Sequence, residues 1–145
     1  MRLRAKFMRA MEANAEEVIR AFLTLGVITI LSLRMDLFRI ARIISARYPR
    51  RAPACPDSRV EAQIAFAVRA AGMIVPFSTC GTRALTMVAL LARRNQAAHL
   101  RIGIHREAKG RFSAHAWVVN DIGQVISEPE HQVGTHMHVH VPDSF

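Results

Sequence analysis

The chain has few cysteines, and those it has are not spaced for a structural role. Cys55 and Cys80 are the only two among 145 residues. A disulfide framework and a paired-cysteine zinc site are therefore excluded, and a reducing compartment, the cytoplasm, is expected. The chain is 51% hydrophobic, which allows a substantial core, but it is short for two domains. We predict a single domain over residues 1–145.

Long apolar runs are also missing. The uncharged run from Ala21 to Leu33 has 13 residues, fewer than the roughly 18 needed to cross a bilayer. Acidic residues at Glu12, Glu16 and Glu17 interrupt the approach to this run, so it does not have the form of a signal peptide. The run is expected to form a buried helix.

Acidic residues are scarce in the first third of the chain. Residues 1–51 contain 11 Arg and Lys against 4 acids, a net charge of +7, whereas residues 52–145 have a net charge of +2. A basic surplus favours acidic partners and does not choose among nucleic acid, anionic lipid and an acidic peptide. Membrane-surface contact is left open, and nucleic acid is not the expected partner.

Helical periodicity dominates the first two thirds of the chain. Helical patterns extend over about 8–25, 37–48 and 58–72, with a Pro- and Arg-rich linker at 50–57 that contains Cys55. The sequence Ser58-Arg-Val-Glu61 has the form of a capping box, and Gly72 is the predicted stop of that helix. The next helix should begin at Thr79 or Cys80, capped by Ser78 or Thr79, and end near Arg94 with Asn95 left-handed.

After the helix that ends near Arg94, the hydrophobic pattern changes from a helical period to a period of two residues. Alternating residues predict strands over 100–104 and 113–119, and Asn120-Asp-Ile-Gly123 predicts a turn into a short return strand at 124–127. Helices followed by an antiparallel sheet define an α+β domain. The predicted organisation is a helical part at 1–50 and a second part at 58–145.

Cys80 and His115 are the residues that point to chemistry. A helix N-terminus and an adjacent imidazole are the surroundings that make a cysteine thiol nucleophilic. Cys80 heads a predicted helix, and His115 lies in the predicted strand 35 residues later. A third residue should orient the imidazole, and both Glu128 and Asp121 are candidates. Glu128 is preferred, because Asp121 lies in a turn where a carboxylate more often forms a local hydrogen bond.

The stretch from Cys80 to Glu130 resembles the leader peptidases of lasso-peptide biosynthesis, the B proteins with a papain-related, transglutaminase-like fold. The motifs are Cys-Gly-Thr-Arg-Ala-Leu at 80–85, the double-arginine helix end and strand at 93–104, and Ala-His-Ala-Trp-Val at 114–118. The resemblance implies a catalytic part over 58–145 that uses Cys80, His115 and Glu128, with no cofactor and no metal.

The resemblance also implies substrate and partners. The substrate would be a ribosomally made precursor, whose leader is removed so that an ATP-dependent cyclase can close the ring. The chain leaves no room for the recognition domain of some relatives, so a small leader-recognition protein is an expected partner. Gly81 stands where relatives have a large apolar residue, which should weaken the first helical turn by roughly 1 kcal/mol. Glu128 stands where relatives have Asp, and Asn95 where they commonly have Gly.

Three further interpretations are kept beside this one. An acyl transferase would use the same thioester but release it to an amine, and a non-catalytic basic module would bind nucleic acid or membrane. His136, His138 and His140 alternate on one strand face, a spacing suited to a metal, but no neighbouring Cys or carboxylate completes a ligand set. Trp117 is expected in the core or beside the site.

Overall fold

In the described part of the chain, four helices precede a small antiparallel sheet. The computed structural model describes residues 14–49, 55–106, 110–127 and 137–139. The elements are α1 (Ala15–Ser32), α2 (Leu37–Arg47), α3 (Ser58–Ile74), α4 (Cys80–Arg93), β1 (His99–Arg106), β2 (Phe112–Val119) and β3 (Met137–Val139). This order confirms the predicted α+β class.

The first helix differs from its prediction in position and in burial. It extends from Ala15 to Ser32, beyond the predicted end at residue 25, and residues 8–13 of the predicted segment lie outside the described residues. One face, with Ala21, Leu25 and Ile28, is buried against the other helices, but the opposite face is exposed. The expectation of a buried helix over 21–33 is therefore met on one face only, because the apolar run surrounds the helix and one side of it packs against the core. Its exposed apolar residues are Ile19, Phe22, Leu23, Val27, Ile30 and Leu33.

Neither α1 nor any other helix in the described part of the chain is long and apolar enough to cross a membrane. This finding agrees with the short apolar run in the sequence.

The start of α3 is capped by a residue other than the predicted one. Asp57 is the N-cap, and its carboxylate accepts hydrogen bonds from Arg59 N at 2.9 Å and Val60 N at 3.4 Å. The predicted Ser58 to Glu61 capping box does not form, because the Glu61 side chain is buried and bonded to Asn120 instead. Glu61 therefore bonds to a residue distant in the sequence instead of to the start of its own helix.

Gly72 does not end α3. The helix continues to Ile74, and Gly72 is buried in its last turns. A Cβ at this position would lie 2.7 Å from Arg83 Nε, so the absence of a side chain leaves room for Arg83 where it lies. The predicted stop at Gly72 is wrong, because the helix continues for two more residues.

The ends of α4 follow the local sequence. The Thr79 hydroxyl accepts a hydrogen bond from Thr82 N at 3.2 Å, and the Thr82 hydroxyl accepts one from Thr79 N at 2.8 Å, which completes a capping box. At the other end Asn95 has a φ of 57°, the left-handed conformation predicted for it. The predicted α4 is confirmed at both ends.

Helix α4 lies at the centre of the fold. One cluster of buried side chains joins it to α1, α3 and β2, and a second joins it to α1 and α2. Leu85, Met87 and Leu91 are each at most 1% exposed. The predicted central, buried position of this helix is confirmed, and its N-terminus is fixed by contacts on several sides.

The strands form a sheet in the order β2, β1, β3, with antiparallel neighbours. The turn after β2 is closed by a hydrogen bond from Gly123 N to Asn120 O, and Gly123 has a φ of 78°. The return segment then pairs with β2 through a Val119 to Val125 bridge and a bond from Ile126 N to Val118 O. Helix α4 packs against β2.

Candidate active site

Cys80 is the first residue of α4. Its side chain is half-buried and packs beside the larger of the two core clusters. The two capping bonds between Thr79 and Thr82 do not use the Cys80 amide, so this N–H remains available at the positive end of the helix. The sequence predicted this placement, and the capping box explains why the helix begins here.

The residue after Cys80 is fixed by packing. A Cβ on Gly81 would lie 2.5 Å from Leu37 Cδ1, so the absence of a side chain lets α2 pack on the first turn of α4. From helix propensity alone, Gly81 was expected only to destabilise the first turn. Its tertiary role was invisible because the contact joins residues 44 positions apart.

His115 lies in β2, opposite Gly103 of β1. Its imidazole stacks beside the indole of Trp117, with ring centroids 6.2 Å apart and an angle of 21° between the planes. Residues two apart on a strand share one face, so the stacking follows from the strand geometry. Trp117 is 1% exposed and therefore holds one side of the imidazole against the core.

Cys80 and His115 line the same cleft. The cleft has a volume of about 520 Å³. Helix α4 contributes Cys80, Ala84 and Met87 to its lining, and α3 contributes Ala65 and Val68. The β2 residues His115 and Ala116 also line it, together with Ser127 of the return segment. The fold therefore brings the predicted thiol and imidazole to one site.

Asp121 has a different partner. Its Oδ1 lies 2.7 Å from His99 Nε2, beside the C-terminal end of β2. His115 lies four residues before that end, roughly 13 Å along the strand, and Asp121 lies in the turn beyond it. The structure therefore does not bring this candidate to the imidazole.

Glu128, the preferred third residue, lies outside the described residues. The return segment is described as far as Ser127, which lines the cleft and whose hydroxyl accepts a hydrogen bond from Val118 N at 3.0 Å. The segment runs antiparallel to β2, in the direction of His115.

The cleft is also lined by two arginines that the sequence analysis did not single out. Arg69 comes from α3 and Arg83 from α4. Arg83 Nη2 donates to Gly72 O at 3.0 Å, and both its Nε and Nη2 donate to Ser78 Oγ, at 3.2 and 3.1 Å. A signal was present, because Arg83 follows Cys80 by three positions and so lies on the same face of the helix.

Cys55 does not line this cleft, and of the three alternating histidines only the backbone of His138 is described. Cys55 is exposed in the segment before α3. His138 is paired in register with Gly103, and His136 and His140 lie outside the described residues. Within the described ranges, no three His, Cys, Asp or Glu residues are grouped so that they could hold a metal ion.

Comparison with known families gives one match. The profile of the transglutaminase-like superfamily matches residues 25–139, which is most of the chain and includes both Cys80 and His115. That superfamily commonly includes cysteine peptidases and acyl transferases. No curated protein and no solved structure shows significant similarity to the chain.

Proposed function

Because this chain belongs to the transglutaminase-like superfamily, we propose that it is a cysteine peptidase that removes the leader from a lasso-peptide precursor. The observation that carries the proposal is the single cleft lined by Cys80 and His115. The resemblance of residues 80–130 to the leader peptidases of lasso-peptide biosynthesis supports the choice of substrate. A cytoplasmic location agrees with the need for a reduced thiol.

The proposed reaction has two steps. His115 takes the thiol proton, the Cys80 sulfur attacks the scissile carbonyl, and His115 returns the proton to the departing amine as the C–N bond breaks. The amine is the freed N-terminus of the core peptide. Water then attacks the thioester, His115 accepts its proton, and the thiolate leaves the carbonyl carbon, which releases the leader as a carboxylic acid.

Two further groups complete the proposed site. The Cys80 N–H at the start of α4 would donate to the oxyanion of each tetrahedral intermediate. Glu128 would orient the imidazole. The position of Ser127 in the cleft supports this choice, because Glu128 is the next residue along a segment that runs toward His115.

The partners belong to the same proposal. A small leader-recognition protein would present the precursor, and the ATP-dependent cyclase would consume the freed core. In the proposed reaction, the groups that break the bond all belong to this chain.

The test is reconstitution with a lasso-peptide precursor, with and without a small leader-recognition protein. Mass spectrometry should find leader and core as separate products, each with the mass of a hydrolysed chain. Cys80→Ala should abolish cleavage, and Cys55→Ala should leave it unchanged, because Cys55 lies outside the cleft. Equal processing by Cys80→Ala would reject the proposal.

An acyl transferase is the second candidate, and the superfamily match supports it because acyl transfer uses the same thioester. The same mass spectra separate the two reactions. A leader whose mass has increased by that of an added amine, less water, would replace peptidase with transferase.

A further inference from the structure

The cleft beside Cys80 carries a positive charge that the proposed reaction does not use. Its lining contains the guanidinium groups of Arg69 and Arg83, and no acidic side chain of the described residues lines it. The proposed thiolate and imidazolium pair is neutral in sum. Even if Glu128 enters the site as a carboxylate, two arginines leave the cleft with a net positive charge.

The two arginines line the same cleft from different helices. Arg69 follows Ala65 on α3 by four positions, and Arg83 follows Cys80 on α4 by three. Residues at these spacings share a helix face, so each arginine lies on the face of its helix that lines the cleft. Both side chains are exposed, so a ligand can reach them from solvent.

Arg83 is held in position by uncharged neighbours, so its positive charge is not neutralised. Its Nε and Nη2 are fixed by Ser78 Oγ and by Gly72 O, neither of which carries a charge. In the described part of the chain Nη1 makes none of these bonds, and Arg69 forms no hydrogen bond or ion pair. A fixed guanidinium with a free edge, in the same cleft as a second one, is suited to a carboxylate, which binds guanidinium groups through paired, charge-assisted hydrogen bonds.

We propose that Arg69 and Arg83 form a carboxylate-binding subsite beside Cys80, which selects peptides with an acidic group next to the scissile carbonyl. The inference rests on the proposed role of Cys80 as a nucleophile. The carboxylate has two possible sources, an acidic side chain that flanks the scissile bond or a free chain terminus.

The test compares two alkylating reagents of similar size on Cys80, in a Cys55→Ser background. Iodoacetate is anionic and iodoacetamide is neutral, and both react with the same thiolate. The ratio of their rate constants therefore cancels any change in thiol ionisation and reports only the attraction of the cleft for a carboxylate. The measurement is made at low ionic strength, where the Debye length is about 30 Å.

Removing each arginine should lower the iodoacetate to iodoacetamide ratio. Arg69→Gln and Arg83→Gln should each lower it about threefold and together about tenfold, the effect of unit charges about 6 Å away in water. Matched controls lie ten residues along the same helices: Arg59→Gln on α3 and Arg93→Gln on α4 should leave the ratio unchanged. Added salt should reduce the difference between the wild type and the double variant.

Arg83→Gln removes bonds to Ser78 and Gly72 and could disturb that segment. Arg69→Gln removes no such bond, so its effect on the ratio tests the subsite independently. An unchanged ratio in Arg69→Gln, or an equal fall in the Arg59→Gln control, would overturn the subsite. Cys80 that reacts with neither reagent would also overturn it, since the cleft would then be closed to ligands.

A protection assay separates the two sources of the carboxylate. N-acetyl-aspartate amide offers a side-chain carboxylate and N-acetyl-alanine a terminal one, with N-acetyl-asparagine amide as the neutral control. Stronger protection of Cys80 from iodoacetamide by the aspartate probe assigns the subsite to an acidic side chain, and stronger protection by N-acetyl-alanine assigns it to a chain terminus. Equal protection by the neutral control would overturn carboxylate selection.

The subsite and the proposed function fail in different ways. A normal alkylation ratio in the double variant removes the subsite but leaves precursor cleavage intact. Precursor cleavage by Cys80→Ala removes the proposed peptidase but leaves the charge-dependent alkylation unaffected.

Discussion

The buried carboxylate of Glu61 in α3 accepts a hydrogen bond from Asn120 Nδ2 at 3.2 Å. Asn120 follows β2 directly, and its Oδ1 accepts a second bond, from Gln124 N at 2.9 Å. One amide therefore joins the first turn of α3 to the turn that sends the return segment back along β2. The segment that carries Ser127 to the cleft is positioned through this pair.

Asn120→Ala should destabilise the fold by about 2 kcal/mol, because it leaves a buried carboxylate without this donor. Urea denaturation measures the loss. In a Glu61→Gln background the same substitution should cost less, since no buried charge then depends on it, and the difference defines the coupling between the two residues. Equal losses in both backgrounds would show that Asn120 acts only through the turn.

Substitutions of Glu128 and Asp121, the two candidates for the third catalytic residue, should have different effects on turnover and on stability. Glu128→Ala should lower kcat about 100-fold or more, and Glu128→Asp should retain most of it, because an orienting carboxylate acts through the imidazole. Asp121→Ala should leave kcat within about twofold and destabilise the fold by at most about 1 kcal/mol, since it loses a partly exposed bond to His99. Precursor turnover and urea denaturation distinguish these effects. Loss of turnover in Asp121→Ala at unchanged stability would reverse the assignment.

Gly81 combines two opposed effects that a pair of substitutions can separate. Alanine improves helix propensity by about 1 kcal/mol but would place its Cβ against Leu37 Cδ1. Gly81→Ala should therefore stabilise the protein more in a Leu37→Ala background than in the wild type, by about 1 kcal/mol in urea denaturation. An equal effect in both backgrounds would mean that Leu37 moves aside without cost.

Arg94 of α4 forms an ion pair with the nearly buried Glu17 of α1, which also contacts Arg20. The hydrogen bond and charge of Glu17 raise the pKa of Arg94 above its ordinary value. A raised folded-state pKa stabilises the protein fully below the unfolded-state pKa, and the contribution is lost only as pH rises through the folded-state pKa. For arginine that loss begins only in strong alkali.

Arg94 stays charged between about pH 6 and pH 9, so the destabilisation caused by Arg94→Gln should be constant over that range. Its size should be about 1 kcal/mol, because the Arg94 side chain is 43% exposed and Arg20 remains beside Glu17. Thermal or urea denaturation at several pH values measures it. Arg93→Gln is the matched control and should have almost no effect, and a loss for Arg94→Gln that disappears by pH 9 would contradict the assignment.

Local rules account for much of the fold. The start of α4 at Cys80 follows from Thr79 as a cap, its end follows from Asn95, and the alternation around His115 predicts β2. These features depend on residues a few positions apart, so the sequence contains them directly. The same rules fail where a distant residue intervenes. Glu61 is recruited by Asn120 rather than by the N-terminus of its own helix, and Gly72 makes room for Arg83 rather than ending α3.

The amino-acid sequence determined the class of fold and the identities of the thiol and the imidazole, because helix caps, periodicity and a short motif are local. Tertiary structure alone decided that Cys80 and His115 share a cleft with Arg69 and Arg83, and that Asp121 pairs with His99. Those relationships depend on how α3, α4 and β2 pack against one another, and packing joins residues whose separation along the chain carries no information about their contact.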